Sequence, residues 1–343
     1  MRGVHEVRDF GLEDGTVLAH VRQAYTLLGE LNEERDNLVL LFHSLTGTPD
    51  PRDWWPDLTG PGAVIDTRNF AVLAPNLLGS CYGTSPPPQG AAVTTRDMAR
   101  LVAELVRDLE VRSVALVAGG SLGGMVTLEW VATFPTATRA AVAFAAPAAQ
   151  TAHSLGLNHV QRRALDVASQ AGRPEAGLEL ARMMAMLSYR TQHGLETRFA
   201  RDRRPDGEFQ VRSWLDHHGT RLLQRFDGEA YRTLLSAMDS HDVGRARASA
   251  SAALRAFPGC LVAAGIAGDQ LYEAAVVKGW AQEAGARYRE IRSVHGHDAF
   301  LLEPVQVGAI LGEALAAAGA AASAAASAGS TTGVAPFTLE AAS

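Results

Sequence analysis

Apolar residues along this chain follow two rhythms that alternate. Leu38-Val39-Leu40-Leu41-Phe42, Ala71-Val72-Leu73-Ala74, Val114–Ala118 and Ala140–Ala146 are short unbroken apolar runs, the pattern of strands buried on both faces. Between two of them, Met98, Leu101, Val102, Leu105, Val106 and Leu109 recur at helical spacing. That spacing predicts a helix over 94–109, opened by Thr94 and Asp97 as a capping box. Strand, helix, strand, helix, strand is the pattern of a parallel sheet with helices on both faces, an α/β fold. In the first 36 or so residues Val17, Ala19 and Val21 alternate with polar neighbours, predicting a half-exposed antiparallel strand. From Pro147 to about Arg255 only helical periodicity is visible, so an inserted helical lid is expected over 147–255. Sheet-like runs return at Cys260–Ile266 and near Tyr288–Ile291, and a last helix begins near Glu303. The core is expected to comprise 1–146 and 256–316. Residues 317–343 are Ala, Gly, Ser and Thr with few large apolar side chains, and are expected to form a disordered tail.

Composition narrows the field of functions. The 343 residues are 47% hydrophobic and 20% charged, with a net charge of −6 and the two signs interspersed. That balance argues against nucleic acid or an anionic membrane as a partner. Cys81 and Cys260 make no disulfide framework, so a reducing cytoplasm is expected. The N-terminus has no apolar signal region, and the C-terminal alanine run, interrupted by Gly and Ser, is expected to be too weakly hydrophobic to span a bilayer.

The chemistry centres on Gly119-Gly120-Ser121-Leu122-Gly123, which separates the run Val114–Ala118 from a helical pattern begun by Met125, Leu128 and Trp130. Gly-x-Ser-x-Gly between strand and helix is a nucleophile elbow, in which side chains at Gly119 and Gly123 would collide with the flanking elements. A serine hydroxyl needs a base, and the base needs an orienting acid. On such a fold the chain order is Ser, acid, His, each at the C-terminal end of a strand. Asp269 follows the run ending at Ile266, and His297 follows the last strand just before the last helix. His295 is the rival base among 11 histidines, set aside because His297 sits closer to the helix start. Two backbone N–H groups should form an oxyanion hole: Leu122, directly after the serine, and Leu45, in the loop after the first buried strand.

At this point the residues resemble a family. Gly119–Met125 with Leu128-Glu129-Trp130, Gly60-Pro61-Gly62 with Asp66-Thr67, Asn76–Gly79 with Cys81-Tyr82-Gly83, Thr95-Arg96-Asp97, and Gly296–Glu303 are similar to motifs of the homoserine O-acetyltransferases, members of the α/β-hydrolase superfamily. The resemblance spans about residues 5–312 and implies a ping-pong acyl transfer. Ser121 would attack the thioester of acetyl-CoA with His297 as base and Asp269 orienting it. The homoserine hydroxyl would then take the acyl group, in a step of methionine synthesis. Acetyl-CoA is a co-substrate, and neither a bound cofactor nor a metal is implied. The substrate carboxylate would meet Arg182, its ammonium Asp298, with Thr46 and Tyr189 as further contacts. Arg182 and Tyr189 lie two helical turns apart and share a face with Met186, and an arginine on an apolar face wants an anion. A homodimer through the lid helices is likewise implied.

Three departures from the family bear on this. Leu122 stands where a methionine is usual, the loop Gly83–Gly90 is short, and the lid start around Asp166–Gly177 lacks an aromatic-glycine stretch. The last two lie near the expected acyl-CoA entrance. They bear on the acyl donor more than on the chemistry. A succinyl donor or a serine acceptor on the same scaffold, and water as acceptor in a plain esterase, stay open as alternatives.

Overall fold

The unbroken apolar runs are strands buried along their whole length. In the computed structural model, which describes residues 1–327, the first half runs β1 (Arg2–Gly11), β2 (Val17–Leu28), β3 (Leu38–Phe42), β4 (Ala71–Pro75), α1 (Thr95–Asp108), β5 (Val114–Gly120), α2 (Leu122–Thr133) and β6 (Thr138–Phe144). Helices follow: α3 (Ala152–Gln170), α4 (Pro174–Tyr189), α5 (Gln192–Phe199), α6 (Gln210–Leu223), α7 (Gly228–Asp239) and α8 (Ala250–Arg255). The chain closes with β7 (Cys260–Ala267), α9 (Ala274–Ala284), β8 (Arg287–Arg292), α10 (Ala299–Leu302) and α11 (Pro304–Ser327).

The strands form one sheet in the order β1-β2-β4-β3-β5-β6-β7-β8. β1 with β2 and β2 with β4 are antiparallel, and the remaining neighbours are parallel. β3 shows why both faces must be covered. Leu38, Leu40 and Phe42 point into a core shared with Val102 and Leu128 of α1 and α2. Val39 and Leu41 point into a second core shared with Ile310 and Leu311 of α11. α1 begins as its sequence predicts, with Thr94 and Asp97 each accepting the other's backbone N–H.

Where the lid leaves the sheet and where it returns are pinned together. Ala149 bridges Asp242, and between them the buried His241 donates Nε2–H to the Pro147 carbonyl at 3.0 Å. Its Nδ1 accepts from the Thr95 hydroxyl at 3.0 Å. Burial pushes its pKa down to about 4, so it is a neutral peg.

Three expectations need correction. In β2 it is Leu18 and Val21 that are buried, while Val17 and Ala19 are exposed. The strand changes the face it buries opposite Asp9 of β1, whose backbone lies in the left-handed region (φ 52°). The stretch expected to begin a disordered tail at 317 is instead helical to Ser327, with Ala314 and Ala318 packed in the core beneath α11. Residues 328–343 lie outside the described residues. Finally, Pro304–Ser323 is, by length and composition, apolar enough to cross a membrane, with a mean hydropathy of 1.5. One face of it, with Val307, Ile310 and Leu311, packs on the sheet, and most of the rest is not buried.

Candidate active site

Ser121 sits at the sharpest point of the chain. Its backbone holds φ 57° and ψ −123°, strained for any residue with a Cβ. The turn closes because its glycines have no side chains. A Cβ on Gly123 would lie 2.2 Å from the Phe42 carbonyl oxygen, and one on Gly119 would lie 2.5 Å from the Gly123 carbonyl. The Ser121 N–H donates to the Phe144 carbonyl at 2.9 Å, and its own carbonyl accepts from Met125 at 3.0 Å, starting α2. The N-terminal end of α2 therefore lies directly behind the hydroxyl, where it favours negative charge in front.

Asp269 follows β7 and His297 sits in the turn after β8, at the same edge of the sheet as Ser121. Asp269 is fully held. Its Oδ1 accepts the N–H groups of Leu271 and Tyr272 at 2.8 and 3.1 Å, and its Oδ2 faces His297 Nδ1 at 2.7 Å. That contact makes Nδ1 the protonated nitrogen and leaves the Nε2 lone pair free, buried and without a hydrogen-bond partner. Ser121 Oγ and His297 Nε2 are not hydrogen-bonded to each other. Burial alone would lower the His297 pKa. The charge and hydrogen bond of Asp269 outweigh it, Asp298 adds to them, and the net shift is upward from 6.5. The rival His295 is half-buried and bonds to no acid among the described residues.

Aromatic rings enclose His297. Tyr189, Tyr272 and Phe300 place their centroids 5.3, 5.4 and 5.7 Å from its own. Tyr189 ends α4, and the lid backbone after it is stitched to the base's loop. Thr191 Oγ1 donates to the Val294 carbonyl at 2.9 Å, and Gly296 is in the left-handed region where a Cβ would strike the Tyr189 carbonyl at 2.7 Å. Burial pushes the Tyr189 phenol up to about 12, so it stays neutral.

The other expected contacts divide. Arg182 lies on the face of α4 that carries Tyr189, its guanidinium carbon 5.8 Å from that ring, and it forms no ion pair among the described residues. Asp298 does form one: its Oδ2 lies 2.9 Å from a guanidinium nitrogen of Arg190. Leu45 and Leu122 are both buried; Leu45 lies in the loop after β3 and Leu122 opens α2, both at this edge of the sheet. Thr46 is held rather than open. Its carbonyl and hydroxyl both accept from Arg225, at 2.7 and 3.3 Å. Arg225 and Arg190 were not singled out in the sequence. Nor was His43, buried at the end of β3, whose Nε2 accepts the Leu77 N–H at 3.0 Å and whose pKa burial pushes down to about 4.

Comparison with known proteins gives the lineage. A family model for the α/β hydrolase fold matches residues 37–216. The homoserine O-acetyltransferase of Thermus thermophilus is 41% identical over 342 residues, covering 88% of each chain. This chain belongs to the homoserine O-acetyltransferase family of α/β hydrolases. Among solved structures, homoserine O-acetyltransferase from Bacillus anthracis superimposes with a TM-score of 0.82 at 20% identity, over 92% of this chain and 97% of that one. Esterase E22 superimposes with a TM-score of 0.83 at 16% identity, over 92% and 99%. Family membership thus rests on the sequence match, and the fold by itself is shared with esterases.

Proposed function

We propose that this protein transfers an acetyl group from acetyl-CoA to the hydroxyl of L-homoserine through an acyl-Ser121 intermediate. His297 Nε2 takes the serine proton as Oγ attacks the thioester carbonyl. The tetrahedral oxyanion is met by the N–H groups of Leu45 and Leu122. Collapse expels the CoA thiolate, which takes the proton from His297. Homoserine then enters, its hydroxyl gives its proton to Nε2 and attacks the acyl carbonyl, and Ser121 leaves with that proton. Asp269 holds the ring in the required tautomer and stabilises the imidazolium. Tyr189, Tyr272 and Phe300 keep the base dry, which favours an alcohol over water.

The observation that carries the choice of acceptor is Arg182. A guanidinium beside the ring that covers the base, with no acid of its own, is suited to a substrate carboxylate. Asp298, fixed through Oδ2 by Arg190, keeps Oδ1 for the ammonium. Tyr189 would contact the substrate from α4, and Thr46, its oxygens already held by Arg225, would do so only through its remaining hydroxyl proton. The product would enter methionine synthesis, in the cytoplasm. A homodimer would cover Leu155, Val160, Val167, Leu180 and Leu187, large apolar residues exposed on α3 and α4.

The deciding experiment is a mass-spectrometric screen of homoserine, serine and water as acceptors against acetyl- and succinyl-CoA, with rapid quenching. An acetylated Ser121 adduct that homoserine discharges is the expected result. Thioester turnover indifferent to homoserine would favour the esterase reading that the likeness to esterase E22 keeps in view. Absence of any adduct would end both.

A further inference from the structure

The oxyanion loop is held in shape by the lid. After β3 the chain turns sharply through Ser44-Leu45-Thr46-Gly47, closed by the Gly47 N–H donating to the Ser44 carbonyl at 2.9 Å. Leu45, whose N–H is the second donor of the proposed oxyanion hole, is one of the two central residues of this turn. A Cβ on Gly47 would lie 2.7 Å from the His43 Cβ, so the turn packs closely against the base of that side chain. His43 fixes its near side, with Nδ1 2.8 Å from the Ser44 carbonyl. On the far side the only side chain bonded to the Thr46 carbonyl among the described residues is Arg225, just past the end of α6. One guanidinium donates to the Thr46 carbonyl at 2.7 Å, the Thr46 hydroxyl at 3.3 Å and the Tyr82 hydroxyl at 2.6 Å. Phe226, the next residue, packs its ring edge-on to Tyr82 at 5.7 Å. Arg225 has no ion pair with an acid among the described residues, so its charge is directed at oxygens of the loop.

We infer that Arg225 is a positioning residue that aims the Leu45 N–H by clamping the Thr46 peptide, so that the oxyanion hole is complete only while the lid is docked. The inference rests on Ser121 being the acylated nucleophile. A planar fork can hold a carbonyl, a hydroxyl and a phenol at once, which a lysine's single ammonium cannot do with the same geometry. A misdirected donor acts on the charge developed in the transition state more than on the bound ester.

The test uses p-nitrophenyl acetate, whose released phenol reports acylation whichever acceptor follows. The burst amplitude counts competent serines, and the burst rate reports the chemistry at each. Arg225→Met should lower the acylation rate per titrated site by about 10- to 100-fold, with the apparent KM for the ester changed less than about threefold. Arg225→Lys should recover part of the loss, and it carries the test should the methionine variant fail to fold. Tyr82→Phe, which leaves both Thr46 contacts in place, should cost less than about threefold. A per-site rate within about twofold of the wild type in the tested Arg225 variant, with only burst amplitude or melting temperature reduced, would make the residue merely structural and overturn the inference. So would a raised KM with unchanged kcat. If rapid-quench mass spectrometry finds no acetyl group on Ser121 of the wild-type protein, the nucleophile assignment falls first and the inference with it; an acetylated Ser121 without a burst moves the comparison to kcat/KM, which reports acylation.

Discussion

Tyr189 packs its ring, tilted, against His297 at 5.3 Å, and the residues that follow each of them, Arg190 and Asp298, form an ion pair at 2.9 Å. The end of a lid helix and the turn bearing the base are thus joined twice in consecutive residues, once by rings and once by charge. Both ion-pair side chains are about five-sixths buried, at 15% and 16% exposure. The pair orients Asp298 without exhausting it, because Oδ1 stays available. Arg190→Met and Asp298→Asn should therefore behave differently. The first should loosen the lid and lower kcat moderately. The second should raise the homoserine KM by roughly tenfold or more, the loss of a charge-assisted contact of about 1.5–3 kcal/mol. Equal homoserine KM values in steady-state assays of the two variants would remove Asp298 from the acceptor site.

Arg182 leads to a sharper expectation. Among the described residues it has no acid to lose, so Arg182→Ala breaks no ion pair there and should leave thermal stability nearly unchanged. The homoserine KM should rise by about 10- to 100-fold while the acyl-CoA KM moves little, because only the acceptor carries a carboxylate to be clamped. Initial-rate measurements with each substrate varied in turn would show it. Parallel increases in both KM values would place Arg182 elsewhere in the reaction.

The pH dependence follows from the base. His297 must be neutral to accept the serine proton, and its pKa lies above 6.5 because the charge and hydrogen bond of Asp269 outweigh burial. Acylation should therefore fall as pH drops, with a midpoint above 6.5. Asp298 pushes in the same direction, so Asp298→Asn should move that midpoint down. Asp269→Asn should move it further and lower kcat by about 10³- to 10⁴-fold by freeing the wrong tautomer. The same shift stabilises the fold, fully so below 6.5 and no longer once pH has risen through the folded-state value. A pre-steady-state pH profile of p-nitrophenol release measures the midpoint, and one at or below 6.5 in the wild type would contradict the electrostatic account.

Ser121 and Asp269 stand out in the sequence because each follows a buried strand, marked locally by an apolar run that stops, whereas His297 follows the mostly exposed edge strand β8 and is marked only by its place just before the last helix. Nothing local marks Arg225 or Arg190. Arg225 is 179 residues from Thr46, among several arginines in a polar stretch, and only the docking of α6 against the loop picks it out. His43 was hidden for a similar reason: its role lies in the N–H of Leu77, 34 residues away. The C-terminal alanines misled in the opposite sense. Few large side chains suggested too little to bury, yet alanine is the strongest helix former, and small side chains at Ala314 and Ala318 fit against the sheet beside Leu311. In β2 the alternation Val17, Ala19, Val21 was real in the sequence, but the change of face opposite Asp9 follows from the backbone of the partner strand.

Ser121 itself should trade stability for activity. Its φ of 57° and ψ of −123° are reached easily only by glycine. Ser121→Gly should abolish acyl transfer and leave the fold more stable by about 1 kcal/mol, the strain released exceeding the extra entropy glycine brings to the unfolded chain. Ser121→Ala should be equally inactive without that gain, since alanine keeps the Cβ. Urea denaturation of the three proteins compares them, and a glycine variant less stable than the alanine variant would show that the elbow is not strained.

Far from the serine, Glu129 ties the lid's return to the hydrolase core. Its side chain is wholly buried, and Oε2 accepts from Arg96 at 3.0 Å and from Arg247 at 2.9 Å. Arg96 also pairs with Glu13 at 2.8 Å and reaches the Arg245 carbonyl at 2.9 Å, while Arg247 reaches Thr133 at 2.8 Å. Removing the shared carboxylate would strand two mostly buried guanidiniums, although Glu13 would still partner one of them. Glu129→Ala should thus cost about 3–5 kcal/mol, the usual penalty for half a buried ion pair. Arg247→Met should cost less, because Glu129 keeps Arg96 and the methionine fills the same space. Since neither residue touches the site, the catalytic rate per folded molecule should be unchanged. Chemical denaturation paired with burst titration separates the two quantities. A Glu129→Ala loss under about 1 kcal/mol would mean the network is solvated rather than sealed.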